Sequence, residues 1–514
     1  MADVSDPLSL EWGGRPARGA PGPMLAALEP AAHRYRFQQG ARRRSSVTYL
    51  DTVDRRLRKK GLSLRYESDS DSEVLVASAP DGIDTTELGE APVWPALAEQ
   101  LPAGSVADRV GPAMWVRAVA PVVETEVVSR EITARNEDDK IVARLHWQEA
   151  TANGSPTLAR VSLDPLRGYA ADAERIARLL ADSGEFVVPE RSLAEVWLRH
   201  AADDEVERRP TITAGMRADV AVATALLGFL DAIERNVAGT IDDVDTEFLH
   251  DLRVAVRRSR SVLKLTGDAL PERLVARGAR ELKWLGDATT PTRDLDVYLL
   301  ELDELATRLT VGTRADLDDF ATHLHWERTV ARRSLVRALQ SKRFERWCES
   351  WRQSLTEIVS SGGSEQSGSV EELARDRVRV AYKRVLKRAN AITPDCPGER
   401  VHSLRKRAKE LRYLLEMFAP VCDRKPHRAV VKNLKRVQDI LGAVQDGEVQ
   451  SASLRVFAER MLDRRSASAA TLLAMGELSA GFAGEQRQAR DELTDALPGF
   501  LGSSVHKRVT AMLP

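Results

Sequence analysis

From about residue 213 to near the end of the chain, hydrophobic positions recur every three or four residues. That spacing is typical of amphipathic helices. Polar and charged residues occupy the remaining positions of each stretch, as expected for helices that pack on one side only. The periodic stretches predict helices over residues 215–236, 244–266, 272–288, 294–309, 314–340, 343–360, 370–390, 398–418, 427–444, 447–463 and 468–496.

The N-terminal part has a different pattern. Residues 1–45 show no period and are interpreted as largely irregular. Beyond them, short β-prone runs alternate with Gly, Pro, Asp and Asn, which is typical of strands joined by turns. These runs predict strands at Leu62–Tyr66, Val74–Ala79, Val116–Val123, Arg130–Ala134 and Ile141–Trp147, followed by helices at Ala171–Ser183 and Leu193–His200.

The change of pattern predicts an α+β domain followed by an all-α domain. Within the helical part, the segment SSGGSEQSGS has the composition of a flexible linker. The predicted boundaries are 1–205 for the α+β domain, 206–212 for a connecting linker, 213–510 for the helical domain, 213–359 and 370–510 for its two halves, and 360–369 for the linker between them.

Charge is distributed unevenly between these parts. The 514 residues carry a net charge of −1, but residues 1–210 hold 27 Lys and Arg against 34 Asp and Glu. The remainder holds 49 basic and 43 acidic residues, so the helical part is the basic one. This asymmetry favours the helical domain as the partner of an anion, through local arrangement rather than bulk charge.

Cysteine content and hydropathy limit the class of protein. The three cysteines, Cys348, Cys396 and Cys422, form no C-x-x-C motif, which excludes a disulfide framework and a cysteine zinc site. The longest apolar run, Val220–Leu230, is far shorter than the ~20 residues of a membrane span. We expect a cytoplasmic protein without a membrane span.

The helical part contains an internal repeat. At a constant offset of 152, residues Leu249–Val297 align with Val401–Val449 without a gap. His250 falls on His402, Arg253 on Arg405, and Asp294 on Asp446. The matched aspartates, which include Asp287 and Asp439, are interpreted as orienting basic side chains or capping helices.

Both copies place cations on one face of a helix. At 100° per residue, the five basic groups from His250 to Lys264 lie within a sector of about 80°. Like charges at this spacing destabilise an isolated helix, whereas a bound polyanion reverses the effect. The candidate polyanion-binding residues are His250, Arg253, Arg257, Arg260, Lys264 and Lys283 in the first copy, and His402, Arg405, Lys406, Lys409, Arg412 and Lys435 in the second.

Other interpretations of these residues remain open. The stripes are also compatible with solvated helix faces, although such faces normally alternate in sign. A metal site at the two histidines lacks the three or four ligands that such sites usually have. Nucleic acid is a less favoured partner because aromatic residues do not interleave with the cations. The helical part shows no catalytic motif, so we assign neither catalytic nor metal-binding residues there.

The doubled motif resembles the CHAD domain, a histidine-containing α-helical domain. The resemblance covers about residues 213–510 and rests on His250-x-x-Arg253-x-x-x-Arg257 and His402-x-x-Arg405-Lys406-Arg407. It implies two helical bundles related by a pseudo-twofold axis. It also implies a basic central channel that binds inorganic polyphosphate, and association with polyphosphate granules.

About residues 5–200 resemble the CYTH domain, which has a triphosphate tunnel fold. The resemblance rests on Tyr49-Leu50-Asp51-Thr52 and on Gly61-Leu62-x-Leu64-Arg65. It implies a β-barrel tunnel in which active members bind Mg²⁺ or Mn²⁺ through a Glu-x-Glu-x-Lys strand. The corresponding segment Leu8–Trp12 has only Glu11 and no following Lys, and the strand near Val74–Ser78 lacks the usual Lys.

These departures predict a degenerate CYTH-like domain without catalysis or cofactor. The alternative is a metal-dependent triphosphatase. The charged residues that would remain from such a tunnel are Arg56, Arg65, Arg117, Glu124, Glu126, Arg130, Arg144 and Glu149.

Overall fold

The structure is a computed structural model and describes residues 8–14, 20–152, 157–206, 211–364, 366–393 and 395–513. The chain divides into two compact units, Met1–Arg208 and Arg209–Pro514. The first is built on a sheet and the second is all-helical, which confirms the predicted order of fold classes.

In the described part of the first unit, nine strands form one antiparallel sheet in the order β5-β4-β3-β2-β6-β7-β8-β1-β9. The strands are β1 (Leu8–Trp12), β2 (Arg36–Thr52), β3 (Ser63–Ser68), β4 (Glu73–Ala79), β5 (Gly82–Glu87), β6 (Val119–Arg135), β7 (Ile141–Ala152), β8 (Leu158–Pro165) and β9 (Phe186–Val187). The helices are α1 (Gly22–Leu28), α2 (Arg56–Lys59), α3 (Ser105–Met114), α4 (Ala170–Asp182) and α5 (Leu193–Val206).

Alternation along the strands gives this sheet two faces. On β7, Leu145 and Trp147 are buried in a cluster with residues of α1 and α4. Ala150 and Ala152, which point the other way, pack with Trp197 and Leu198 of α5. Gln148 lies on the same side and lines a cavity.

The interpretation of residues 1–45 as irregular was wrong. The described part of that stretch contains β1, α1 and the first ten residues of β2. Most of β2 before Val47 is exposed, so its residues lack the alternating hydrophobicity from which a strand is predicted. The ladder with β6 also shifts register between Gln39 and Arg42, which interrupts the period further.

The second unit consists of helices joined by short connections. Two hydrophobic clusters stabilise it, and the larger draws on both predicted halves of the helical domain. Its α-helices are α6 (Ala218–Arg235), α7 (Val237–Asp242), α8 (Thr246–Thr266), α9 (Glu272–Thr307), α10 (Asp318–Leu339), α11 (Lys342–Ser360), α12 (Val370–Ala389), α13 (Gly398–Met417), α14 (Arg424–Asp463), α15 (Ala469–Leu501) and α16 (Ser503–Met512).

Two predicted helix breaks are absent. Helix α9 continues through Pro291, a residue that costs about 3 kcal/mol in a helix interior. Thr289 and Thr292 beside it are buried, and packing offsets that cost. Helix α14 continues through Gly447, where an added Cβ would lie 2.8 Å from the Phe482 carbonyl oxygen. This glycine permits close approach of α15 and does not end the helix.

The connection between α11 and α12 packs against the start of α6. The buried Asp219 carboxylate accepts a hydrogen bond from Ser364 N at 2.6 Å, and Asp219 N donates to Ser367 Oγ at 3.1 Å. Glu365, and residues 207–210 of the predicted linker at 206–212, lie outside the described residues. Within the described chain, no helix combines the length and apolar character that crossing a membrane requires.

Candidate anion-binding site

Helices α8 and α13, which carry the two predicted basic stripes, run antiparallel to each other. Lys264 Nζ lies 2.6 Å from Glu410 Oε1, and Arg258 Nη2 lies 3.0 Å from Glu416 Oε2. Residue numbers therefore rise along one helix as they fall along the other. The apolar stripes, such as Leu252 on α8 and Leu404 on α13, are fully buried and turn the cations outward.

A cavity of about 520 Å³ lies where α8, α9 and α13 meet. Six predicted cations from both copies line it, and Glu410 is the only acid among its described lining residues. Leu263, Val275, Ala279 and Tyr413 supply apolar surface. The lining cations are Arg257, Arg260, Lys264, Lys283, Lys406 and Lys409.

Four of these cations have no ion pair or hydrogen bond to any other described side chain: Arg257, Arg260, Lys406 and Lys409. They come from both stripes, two from α8 and two from α13. Arg260 extends over the backbone of α9, because a Cβ at Gly286 would lie 3.1 Å from its Nη1 atom. Their hydrogen-bond donors are therefore available to an anion that enters the cavity.

The other two lining cations are neutralised by carboxylates. Lys264 is paired with the buried Glu410, which also accepts a hydrogen bond from Arg407 at 2.7 Å. Lys283 donates to Asp287 at 2.7 Å, one turn further along α9. Both pairs hold long side chains at the rim of the cavity.

The cavity lowers the pKa of Lys409. Burial, followed by the charges of Arg405 and Arg257, lowers it to about 8. Burial alone would raise the pKa of Glu410, but the hydrogen bonds from Lys264 and Arg407 lower it below its ordinary value. Lys409 thus has no carboxylate within ion-pair distance among the described residues, whereas the carboxylate of Glu410 is paired with two cations, Lys264 and Arg407.

The remaining candidates do not line the cavity. Arg253 donates to Thr290 Oγ1 at 2.7 Å and lies 3.9 Å from Asp294. Arg405 lies 3.4 Å from Asp446, at the equivalent place in the other copy. Arg412 is paired with Glu416 at 2.7 Å. Lys435 is exposed on α14.

The two histidines occupy the outer ends of the antiparallel stripes. Burial and then the charge of Arg293 lower the pKa of His250, which favours the neutral ring near pH 7. His402 Nδ1 lies 2.6 Å from Gln445 Oε1. No group of three or more His, Cys, Asp or Glu with metal-binding geometry occurs among the described residues.

Sequence reasoning missed Tyr413, Glu410 and Arg258 as parts of this surface. Glu410 and Arg258 act across the α8–α13 contact, which no spacing within one helix reveals. Tyr413 follows Arg412 in the second stripe, and its ring lines the cavity from α13. Its position four residues after Lys409 was the available signal.

The first unit has a cavity of a different kind. It measures about 660 Å³, and strands β1, β2, β3, β4, β6, β7 and β8 all contribute to it. Nine serines occur among its described lining residues. Of the eight charged residues proposed from the sequence as a tunnel remnant, Arg65 lines this cavity, while Glu126 and Glu149 line a neighbouring one of about 660 Å³.

Carboxylates pair with two of the four arginines that line the first unit's cavity, whereas Arg43 and Arg191 have no ion pair or hydrogen bond to a described side chain. Arg65 forms an ion pair with Glu67. Arg160 donates to Glu11 Oε2 through Nε at 2.9 Å and Nη2 at 2.7 Å. Glu11 is the carboxylate that the CYTH resemblance would assign to a divalent metal, and here an arginine occupies it. With its carboxylate held by Arg160, Glu11 does not fit the role of a ligand to a divalent metal.

Comparison with known proteins identifies a family for part of the helical unit. The CHAD domain family matches residues 224–455. An uncharacterized protein of Mycobacterium tuberculosis, Rv2226, is 34% identical over 218 residues, 40% of this chain and 39% of that protein. The match thus spans about two fifths of that relative's length. A crystal structure of the CHAD domain from Ricinus communis is 27% identical, covering 57% of this chain and 95% of that one with a TM-score of 0.48.

The first unit has its own structural neighbours. A Hippeastrum protein, named as an adenylyl cyclase with a dominant triphosphatase activity, is 12% identical and covers 38% of this chain and 94% of its own, with a TM-score of 0.26.

The match to the CHAD domain family falls on the helices that line the basic cavity, α8, α9 and α13. The chain therefore contains a CHAD domain, and the basic cavity belongs to it.

Proposed function

We propose that the CHAD domain binds inorganic polyphosphate through the cavity between α8, α9 and α13. The observation that carries this proposal is the set of four unpaired cations, Arg257, Arg260, Lys406 and Lys409, contributed by both copies to one cavity. Arginine donates two parallel charge-assisted hydrogen bonds to phosphate, and lysine acts as a compact charge. Successive phosphates of a linear chain can pair with these four cations, and no base has to be recognised.

Several further contacts support a polyanion over a single small anion. The stripes extend beyond the cavity to His250 on α8 and His402 on α13. At a rise of about 1.5 Å per residue, His250 and Lys264 lie about 21 Å apart along α8. Arg253 and Arg405 lie within these stripes: Arg253 donates to Thr290 Oγ1, and Arg405 donates to Asp446 at 3.4 Å. A chain of phosphates can contact the whole length.

We propose that the first unit does not hydrolyse triphosphate. The support is the Glu11–Arg160 pair, which occupies the carboxylate expected to bind metal, and the serine-rich lining of the cavity. Triphosphate transfer needs a metal and a cationic clamp on the phosphates. A CYTH-like domain at 1–205, a helical domain at 213–510, and cytoplasmic association with polyphosphate granules complete the proposal.

The experiment is a titration of the full chain with long-chain polyphosphate at two salt concentrations. The test variant is Arg257→Gln/Arg260→Gln/Lys406→Gln/Lys409→Gln. We expect it to lose about a hundredfold or more in affinity, because several charge-assisted contacts are removed together. By analogy with nucleic acids, at roughly 0.7–0.9 per contact, the slope of log K against log salt should fall by about three.

The matched control is Arg333→Gln/Lys342→Gln/Arg346→Gln/Arg455→Gln, which removes the same charge from exposed residues outside the cavity. Equal losses in both variants would mean that bulk charge, not the cavity, binds the polyanion. RNA that competes as well as polyphosphate would favour nucleic acid. Phosphate release that requires Mg²⁺ and survives the cavity substitutions would revive the triphosphatase alternative.

A further inference from the structure

Helix α12 presents a second basic surface that the predicted stripes do not include. From Arg377 to Arg388 its sequence has six cations and no acid. Arg377 is paired with Asp268. The other five are exposed and have no ion pair or hydrogen bond to any described side chain: Arg379, Lys383, Arg384, Lys387 and Arg388.

The helical period arranges these five cations in two rows. Arg379, Lys383 and Lys387 form one row at intervals of four residues, and Arg384 and Arg388 form the other. Val380 lies between the rows and is 43% exposed. The opposite face, which includes Val378 and Val385, is buried in the core. The whole outward half of the helix is therefore cationic.

Some other surface cations of the CHAD domain are paired within their own helix. Lys283, Arg308 and Arg412 each have a carboxylate one turn away, at Asp287, Glu304 and Glu416. On α12 no acid follows Asp376 for the rest of the helix. Like charges at i,i+4 destabilise a helix when nothing neutralises them, so an unpaired double row indicates an anionic partner.

The corresponding helix of the other copy shows that the fold does not require this charge. At the offset of 152, the five positions fall on Leu227, Asp231, Ala232, Arg235 and Asn236 of α6. Asp231 there accepts a hydrogen bond from Arg352 of α11 at 2.6 Å. Two helices at equivalent places thus differ: one balances its charge internally and the other leaves five cations to solvent.

The α12 surface is separate from the cavity. None of its five cations lines the cavity, and α12 packs on α13 through the face opposite the cationic rows. His506 of α16 lies beside α12, with its ring stacked on Tyr382 at a centroid distance of 6.0 Å. No exposed aromatic ring lies between the cations of α12. This favours a partner that is recognised by its charge alone over single-stranded nucleic acid, whose bases stack on aromatic rings.

We propose that the exposed face of α12 is a second polyphosphate-binding surface, so that one CHAD domain bridges two polyphosphate chains. This inference rests on the proposed function of the cavity, which provides the first surface. A linear chain of phosphates matches rows of cations spaced by one helical turn. Because none of the five α12 cations lines the cavity, a short chain held in the cavity leaves α12 free for another.

The test uses short polyphosphate chains immobilised on beads and a fluorescent short chain in solution. The full-length wild type should bind the beads and retain the fluorescent chain. The variant Lys383→Gln/Arg384→Gln/Lys387→Gln/Arg388→Gln should still bind the beads through the cavity but retain about tenfold less fluorescence. Circular dichroism should show the same helix content, since Gln is a good helix former at exposed positions.

The outcomes separate the two proposals. If the wild type does not bind the beads, the polyphosphate function itself fails. If the wild type binds the beads but does not retain the fluorescent chain, the bridging proposal alone fails. It also fails if the α12 variant retains as much fluorescent chain as the wild type, since a protein dimer could then bridge two chains through its two cavities. Loss of binding by the α12 variant to RNA or to acidic phospholipid vesicles, with fluorescence retention unchanged, assigns α12 to another partner. The exposed quadruple control used for the cavity should behave as wild type.

Discussion

The two cavities of this protein differ in residue type and in the share of their cations that carboxylates pair. In the first unit, Arg160 is bound by Glu11 and Arg65 by Glu67, which leaves two of the four lining arginines without a partner among the described side chains. In the CHAD domain, four cations face one cavity without a partner among the described side chains. The number of arginines near a cavity therefore says little about anion binding. The fraction of them left unpaired decides how much charge a ligand meets.

The comparison also separates structural from functional arginines. A paired, buried arginine stabilises the fold, because its removal leaves a carboxylate uncompensated. An unpaired arginine in a cavity stabilises the fold little and interacts mainly with the ligand. The two classes predict opposite results for the same substitution.

The largest expected effect on stability is that of Arg160→Gln. It removes both hydrogen bonds to Glu11 and leaves that partly buried carboxylate without its cation, so we expect local destabilisation of about 2 kcal/mol. Hydrogen exchange of the full chain should show reduced protection of the backbone amides in peptides from β1 and β8. Arg257→Gln, the matched change in the CHAD cavity, should leave exchange in α8 unchanged. Equal protection of β1 in Arg160→Gln and wild type would show that the pair is not structural.

An intermediate effect is expected from pH. Lys409 has a pKa of about 8 in the free protein, and a bound polyanion should raise it. Affinity for polyphosphate should therefore fall by about five- to tenfold between pH 7 and pH 9, as the free protein loses this proton. Lys409→Arg should remove most of the decline, since arginine stays charged. A decline of the same size in that variant would assign the titration to another group.

The same pKa shift has the opposite sign for folding. The ordinary lysine pKa of about 10.4 applies to the unfolded chain, so above pH 8 the unfolded state binds more protons than the folded one. This lysine therefore makes the free energy of unfolding rise with pH between about 8 and 10.4. Below pH 8 the lysine is protonated in both states and adds no slope. Through this lysine, a rise in pH above 8 should stabilise the unliganded folded protein and weaken its binding to polyphosphate.

The smallest effect is expected from Gly286→Ala on α9. The new Cβ would lie 3.1 Å from Arg260 Nη1, so the guanidinium must move and affinity should fall by about two- to threefold. Loss of a helical glycine should at the same time stabilise the domain by about 0.5–1 kcal/mol. Gly228→Ala on α6 is the control, because beyond its chain neighbours and the local helix backbone no heavy atom lies within 4 Å of its added Cβ. Reduced affinity in both variants would rule out a local effect on Arg260.

Sequence alone predicted the fold classes and both basic stripes, because helical periodicity is local information. It failed at β2, whose exposed residues carry no alternating pattern, and at Pro291 and Gly447, where tertiary packing outweighs a local signal for a break. It also failed to rank the twelve candidate residues. Glu410 and Glu416 each bind a cation of α8, and those pairs arise only when α8 and α13 pack together.

The antiparallel contact of α8 and α13 also has a consequence for synthesis. The two walls of the cavity are about 150 residues apart in the sequence, so a nascent chain cannot complete the site until α13 has emerged. Until then, the cations of α8 are exposed on a half-built domain. A polyanion that binds the finished cavity selects molecules in which both copies have folded, and it stabilises them by mass action.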